Sequence, residues 1–388
     1  MTTTPSAPAP DLAAAAFGTV VSTRTGRGHF CVADFASDAA AVQYAYDAMV
    51  TRDDLPRTLV LDAPDRPFAF EAPLEIWQSH CRVTSTGGVT ITPADGYTGP
   101  LIQSNKRPET EVGEDNVICN VTLDHLWLNG DNRSLGVQLR DLQLSTVHDL
   151  HVRRTDGPGL WISDGCIENQ FASLVLSDEC GSMEQPALLI EPESPSREPD
   201  IGVSNLTVNS TYFSGIMIHF PTNDCLRISA KPMAPSTCKG HRKIQFNGCF
   251  FHCHPRQNKP VATIADAFQI TFIGTQMLGW NEHSPVLQLG TDDAHLPTGV
   301  TLISHCVFGS KPGNDAAGIR AVNVCTDGPC LSAFGNAFGS GNKLAHAVDW
   351  GSQQGKTASW AGNTMNVTAE PFLGTPPTSA DIPPFAIA

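Results

Sequence analysis

One four-residue phrase recurs down the chain and decides the fold. It reads Gly136-Val-Gln-Leu139, Gly159-Leu-Trp-Ile162, Ala187-Leu-Leu-Ile190 and Gly215-Ile-Met-Ile218, with later members Val261-Ala-Thr-Ile264, Val286-Leu-Gln-Leu289, Gly318-Ile-Arg-Ala321 and Ala345-His-Ala-Val348. The spacing is 23 residues from Val137 to Leu160, 28 from Leu160 to Leu188 and 28 from Leu188 to Ile216. A longer alternating strand precedes each phrase: Val121–Leu128, Val147–Val152, Phe171–Leu176 and Val203–Val208. Insertions near Ala230–His241 and Pro312–Asp315 stretch the repeat. Short alternating strands at this period cannot bury a face alone, but stacked on one another they enclose a continuous core. The leucine-rich signature is missing and no helix alternates with the strands. The spacing therefore predicts an all-β chain forming a single-stranded right-handed parallel β-helix. Its coils advance by about 4.8 Å each.

Composition agrees. The chain has 388 residues, 33 Gly, 29 Pro and a net charge of −15 with only 16% charged residues. That rules against a helical bundle, a disordered chain and a phosphate-backbone binder. Ser37 followed by apolar residues to Met49 predicts an N-capped helix near 37–50, placed to cover the open end of the solenoid. The expected organisation is a loosely ordered arm over 1–27, the β-helix with its capping helix over 28–365, and a Pro-rich tail over 366–388.

The run Val32-Ala-Asp-Phe, the helix, and the strands Arg57–Pro64, Leu74–Trp77 and Cys81–Ile91 together resemble the opening of many pectate-lyase-like β-helix proteins. The resemblance is one of architecture over about 28–365 and selects no single family. It implies carbohydrate chemistry in a lateral groove: hydrolysis, elimination, epimerisation or glycosyl transfer. Arg154-Thr-Asp-Gly also resembles the segment entering the catalytic strand of polygalacturonases, with Asp156 at the acidic place. The rest of that signature is missing, and Asp-Gly is equally a plain turn.

Outward positions of successive coils form columns. One column is expected to hold Gln138, Trp161, Leu189 and Met217. The next holds Arg140, Ser163, Glu191 and His219, with Asp141 and Asp164 where the strand turns. Two carboxylates on neighbouring rungs push their proton affinities apart, which suits an acid/base pair. Asp164 and Glu191 are thus the leading pair, with His219 beside them and Asp156 in reserve. Arg140 and Asp141 would hold hydroxyls or an anion, while Trp161 and Met217 offer an apolar plate. A merely solvated face would also carry such charges. The fallback site is the first-strand face around His151, Arg153 and His252.

Cys249-Phe-Phe-His252-Cys253-His254 is the sharpest metal-like cluster, yet it lacks a second ligand pair. No metal or cofactor is expected. The twelve cysteines are dispersed and read as reduced core residues. With no basic leader and no long apolar run, a cytoplasmic chain with no membrane or nucleic-acid partner is expected, with a homotrimer or homodimer as an option. The ligand is a saccharide or another small molecule. The first functional expectation is a carbohydrate-active enzyme using carboxylate acid/base chemistry. An intracellular isomerase, cyclase or dehydratase of a small metabolite is the second, and a non-catalytic trimeric spike or binding solenoid the third.

Overall fold

Leu160, Leu188 and Leu226 stand side by side on consecutive parallel strands, Leu160–Ile162, Leu188–Ile190 and Leu226–Ile228. They belong to a sheet of eleven parallel strands that runs from Leu74–Ile76 to Phe372–Leu373. The computed structural model describes residues 18–374, apart from residue 27 and the segments 53–54, 106–116, 194–206, 232–239, 254–257, 280–282, 300, 311–316, 325–328, 340–343 and 352–356.

Each coil has three faces rather than the two strands expected. The longer phrase of each repeat folds as two short strands meeting at a corner. His148 in the first half of Thr146–Arg153 pairs with Ala172, whereas His151 in its second half pairs with Val175 on a separate strand. The corner needs one residue in the left-handed region. His125 (φ 53°), Asp149 (53°), Ser173 (53°), Gly215 (61°), Gly248 (57°) and Gly274 (59°) supply it on successive coils. Half of these are glycines because only glycine enters that region without a Cβ penalty.

The core runs the length of the stack. Phe171, Phe213, Phe246 and Phe272 are buried on adjacent coils, with ring centroids 4.9, 4.7 and 4.9 Å apart and nearly parallel planes. Strand spacing in a sheet and face-to-face aromatic contact share this length, so in-register pairing stacks the rings without cost. Near the far end, Asn336 and Asn363 bridge coils through their side-chain amides at 2.8 Å.

The helix Asp38–Thr51 is capped by the Ser37 hydroxyl, which accepts from the Ala40 amide at 3.2 Å. It buries Ala41, Val42, Ala45, Tyr46 and Met49 against the first coils. The solenoid exceeds both expected boundaries. Thr19–Ser22, inside the expected arm, pairs with Thr58–Asp62, and Phe372–Leu373, inside the expected tail, pairs with His346–Asp349. Residues 1–17 and 375–388 lie outside the described residues, as do residues 232–239 of the insertion after Ala230. Among the described residues nine cysteines are free, eight of them buried. No helix among them is long and apolar enough to cross a membrane.

Candidate functional site on the third face

On the eleven-stranded face, Gln138, Trp161, Leu189 and Arg227 are consecutive partners in register and point the same way. The next positions form a second column. The amides of Ser163, Glu191 and Ser229 donate to Leu139, Ile162 and Ile190 at 2.8, 3.1 and 3.0 Å, which sets Arg140, Ser163, Glu191 and Ser229 in line.

Two expected members are therefore elsewhere. Met217–His219 pairs with Val175–Ser177 on the second face, so Met217 and His219 do not border Trp161 and Glu191. The next rung of the third face is Leu226–Ile228, 38 residues after Leu188–Ile190, and it brings Arg227 and Ser229 instead. The correction extends to the preceding strand. Phe213 of Asn209–Ser214 stands beside Phe171, a place assigned from sequence to Val203–Val208, whose residues 203–206 lie outside the described residues.

Glu191 is the centre of what remains. The Trp161 indole Nε1 donates to its carbonyl oxygen at 2.8 Å, tying the aromatic plate of one coil to the carboxylate-bearing residue of the next. Burial raises the Glu191 carboxyl above its ordinary value, against the opposing charges of Arg227 and Lys231 and a hydrogen bond with Ser229. Arg227 donates to the Glu184 carbonyl at 2.9 Å and to Asp224 at 3.2 Å. Lys231 pairs with Asp293, and its carbonyl meets His295 Nε2 at 3.0 Å. Arg140 pairs with Glu193 and also donates from Nε to the Ser104 carbonyl at 3.3 Å. A carboxyl biased toward its protonated form, with cations, hydroxyls and an indole around it on rigid strand ends, can give a proton to a polar substrate.

The other expected residues take different places. Asp164 is 1% exposed, so its carboxyl is shut off from a ligand on this surface, and it cannot pair with Glu191 there as expected. Turning inward leaves it near Cys166, whose thiol burial pushes well up. Asp141 adjoins it, its amide donating to the Asp164 carbonyl at 2.7 Å. Asp156 is exposed in the loop before Leu160, at the opposite end of the strand from the Glu191 column. His252 lies on the second face with its ring 5.1 Å from that of His219, while Cys249 and Cys253 are buried in the core. His254 lies outside the described residues.

A second charged constellation sits at a corner of the early coils. Asp124, 1% exposed, accepts from Arg82 Nε at 2.8 Å and lies 3.4 Å from both His125 Nδ1 and His148 Nε2. His125 Nε2 in turn lies 3.1 Å from Asp149. Burial works to raise the Asp124 carboxyl, but hydrogen bonds with Thr84 and Arg82, the Arg82 charge and His125 outweigh it and hold it below its ordinary value. Sequence spacing hides this cluster, because Arg82 and Asp124 are 42 residues apart.

No protein-family model matches the sequence, and no curated protein sequence does. Solved structures do. The chain is similar to ORF18 of Geobacillus virus E2 at 14% identity and a TM-score of 0.56, covering 92% of this chain and 62% of that one. It thus spans less than two thirds of that protein. It is also similar to the surface adhesin PfbA of Streptococcus pneumoniae, at 9% identity and a TM-score of 0.57, covering 88% and 97%. The A-module of an Azotobacter vinelandii mannuronan C-5 epimerase matches at 12% identity and a TM-score of 0.48, covering 89% and 99%. The fold is a right-handed parallel β-helix, shared with these structures.

Proposed function

We propose that the chain is a carbohydrate-active enzyme that works on its third face, with Glu191 as the proton donor. One observation carries the reading: burial raises the Glu191 carboxyl while Arg227, Ser229 and Lys231 of the next coil act on it from one side. Trp161 offers a sugar ring an apolar plate, and Arg140 with its partner Glu193 borders the same column. The substrate is a saccharide or a similarly polyhydroxylated molecule, and the reaction a hydrolysis, elimination, epimerisation or transfer. We place the protein in the cytoplasm, a reading supported by nine free cysteines among the described residues. We also read the helix Asp38–Thr51 as the cover of the solenoid's first coil, which its buried apolar face supports.

The test is incubation with a panel of neutral and uronate polysaccharides. New reducing ends report hydrolysis, ultraviolet absorbance of an unsaturated product reports elimination, and proton exchange at a sugar carbon reports epimerisation. Activity lost in Glu191→Gln supports the proposal, whereas undiminished activity contradicts it.

A second reading, a binding solenoid without catalysis, is favoured by large side chains left exposed on the first two faces, among them Trp127 at 51% and Tyr212 at 49%. PfbA, similar in fold, is described as a surface adhesin. Saccharide binding without turnover in the same panel would favour this reading.

A further inference from the structure

From Thr122–Asn129 to the coils around Gly274, the chain passes from the first face to the second through a single left-handed residue. The two preceding coils turn more widely. Five residues separate Thr58–Asp62 from Phe68–Phe70, and three separate Arg82–Ser85 from Val89–Pro93. Between these loops lies a recess of about 460 Å³, lined by Asp62, Asp65, Arg66, Thr86, Gly88 and Thr90 among others. That volume falls in the range of small-ligand sites.

Trp127 stands at its rim. It pairs in register with Thr90, and its indole lies over Gly88, where an added Cβ would come within 3.2 Å of the ring. Gly88 has a φ of +74°, so both its conformation and the ring above it call for glycine. The indole is 51% exposed, which leaves much of it open to solvent beside the recess. His151 of the next coil meets it edge-on at 5.9 Å.

The polar lining fixes the class of ligand. Arg66, the one cation among the described lining residues, is held by Asp38, with Nη2 2.7 Å from Oδ1. Arg24 reaches in to Asp65 at 3.1 Å from Nε. Asp62 accepts from the Ser22 hydroxyl at 2.8 Å and the Thr86 hydroxyl at 2.9 Å. Arg24 and Arg66 are each engaged by a carboxylate, and Asp38, Asp62 and Asp65 together outnumber these two cations, so an anionic sugar would meet a net negative wall. Neutral hydroxyls, which both donate and accept, suit this set.

We infer that this corner binds a neutral saccharide, with one ring stacked on Trp127 and its hydroxyls in the recess. The site is on a different part of the solenoid from Glu191 and does not depend on the catalytic reading.

Calorimetric titration of the full chain tests it. The titration uses the Glu191→Gln background, so that turnover does not interfere. The probes are cellohexaose, mannohexaose, xylohexaose and maltohexaose, with hexagalacturonate as the anionic counterpart. At least one neutral hexasaccharide should bind, and Trp127→Ala should weaken it by about tenfold or more. Trp127→Phe, which keeps an aromatic plate, should retain affinity within about threefold. Because the ring is half exposed, both variants should keep the parent's melting temperature, measured alongside. The inference is overturned if no neutral hexasaccharide binds, if hexagalacturonate binds more tightly than all of them, or if Trp127→Ala binds as tightly as its parent.

Discussion

Trp161 donates its indole hydrogen to the Glu191 carbonyl at 2.8 Å, linking two coils of the solenoid across the third face. The bond holds the indole edge against the backbone that carries the carboxyl, so plate and acid move as one unit. Trp161→Phe keeps an aromatic plate and removes this donor. It should lower turnover by about threefold to tenfold, since one neutral hydrogen bond contributes about 1 kcal/mol. Single-turnover kinetics would separate that effect from weakened binding.

Protonation of Glu191 has a sign that can be checked. Its folded carboxyl is raised, chiefly by burial, so ionisation is disfavoured in the native state. The stability it contributes is present below the ordinary glutamate value and is lost as pH rises through the folded one. Glu191→Gln should abolish that loss, narrowing the gap between melting temperatures at pH 4 and pH 8. Arg227→Gln removes a charge that lowers the carboxyl, and should move the high-pH fall in activity further up.

Asp124 has the opposite sign. Its carboxyl is held below the ordinary value despite burial, so its contribution is present above that value and is lost as pH falls through the folded one. Asp124→Asn leaves Arg82, His125 and His148 without their shared carboxylate, and because these three are a third to a half exposed it should cost about 1–2 kcal/mol at pH 7. Urea unfolding at pH 7 and pH 3 would show that penalty shrinking in acid.

Phe213 lies between Phe171 and Phe246 at 4.9 and 4.7 Å. Phe213→Ala should cost about 3–5 kcal/mol, because a cavity in a stack held from both sides cannot easily collapse. Phe213→Leu should recover a large part of that loss in the same unfolding measurement.

The solenoid was legible because apolar residues alternate at intervals set by coil length. Gly159-Leu-Trp-Ile and Ala187-Leu-Leu-Ile lie on one face as their pattern implies. Corners were not legible. One left-handed residue such as His125 or Asp149 leaves the surrounding apolar alternation looking like a single strand, and two faces merged into one. For Met217 and His219, a 28-residue spacing coincided with the previous interval, although Gly215 is a corner glycine and the chain still had a face to cross. Cys225-Leu-Arg-Ile carried the same small–apolar–any–apolar phrase as Ala187-Leu-Leu-Ile, and was the signal that could have found Arg227. Loop length is set by no periodic constraint, so the register across residues 191–225 could not be counted from sequence.

The third-face register admits a chemical check. Leu189 and Arg227 are direct neighbours on parallel strands, while Met217 is on another face. Leu189→Cys with Arg227→Cys should cross-link under mild oxidation, and Leu189→Cys with Met217→Cys should not. Non-reducing electrophoresis after denaturation reads the closed loop directly.

Turnover by Glu191→Gln, measured against pH with the substrate that the polysaccharide panel identifies, decides whether the third face carries a proton donor. General acid assistance contributes about 10²- to 10⁴-fold in rate, so the variant should lose at least that order while its circular dichroism stays that of the parent. The high-pH fall in activity should vanish with it. Full activity in Glu191→Gln, with that fall unchanged, would contradict a proton donor on the third face.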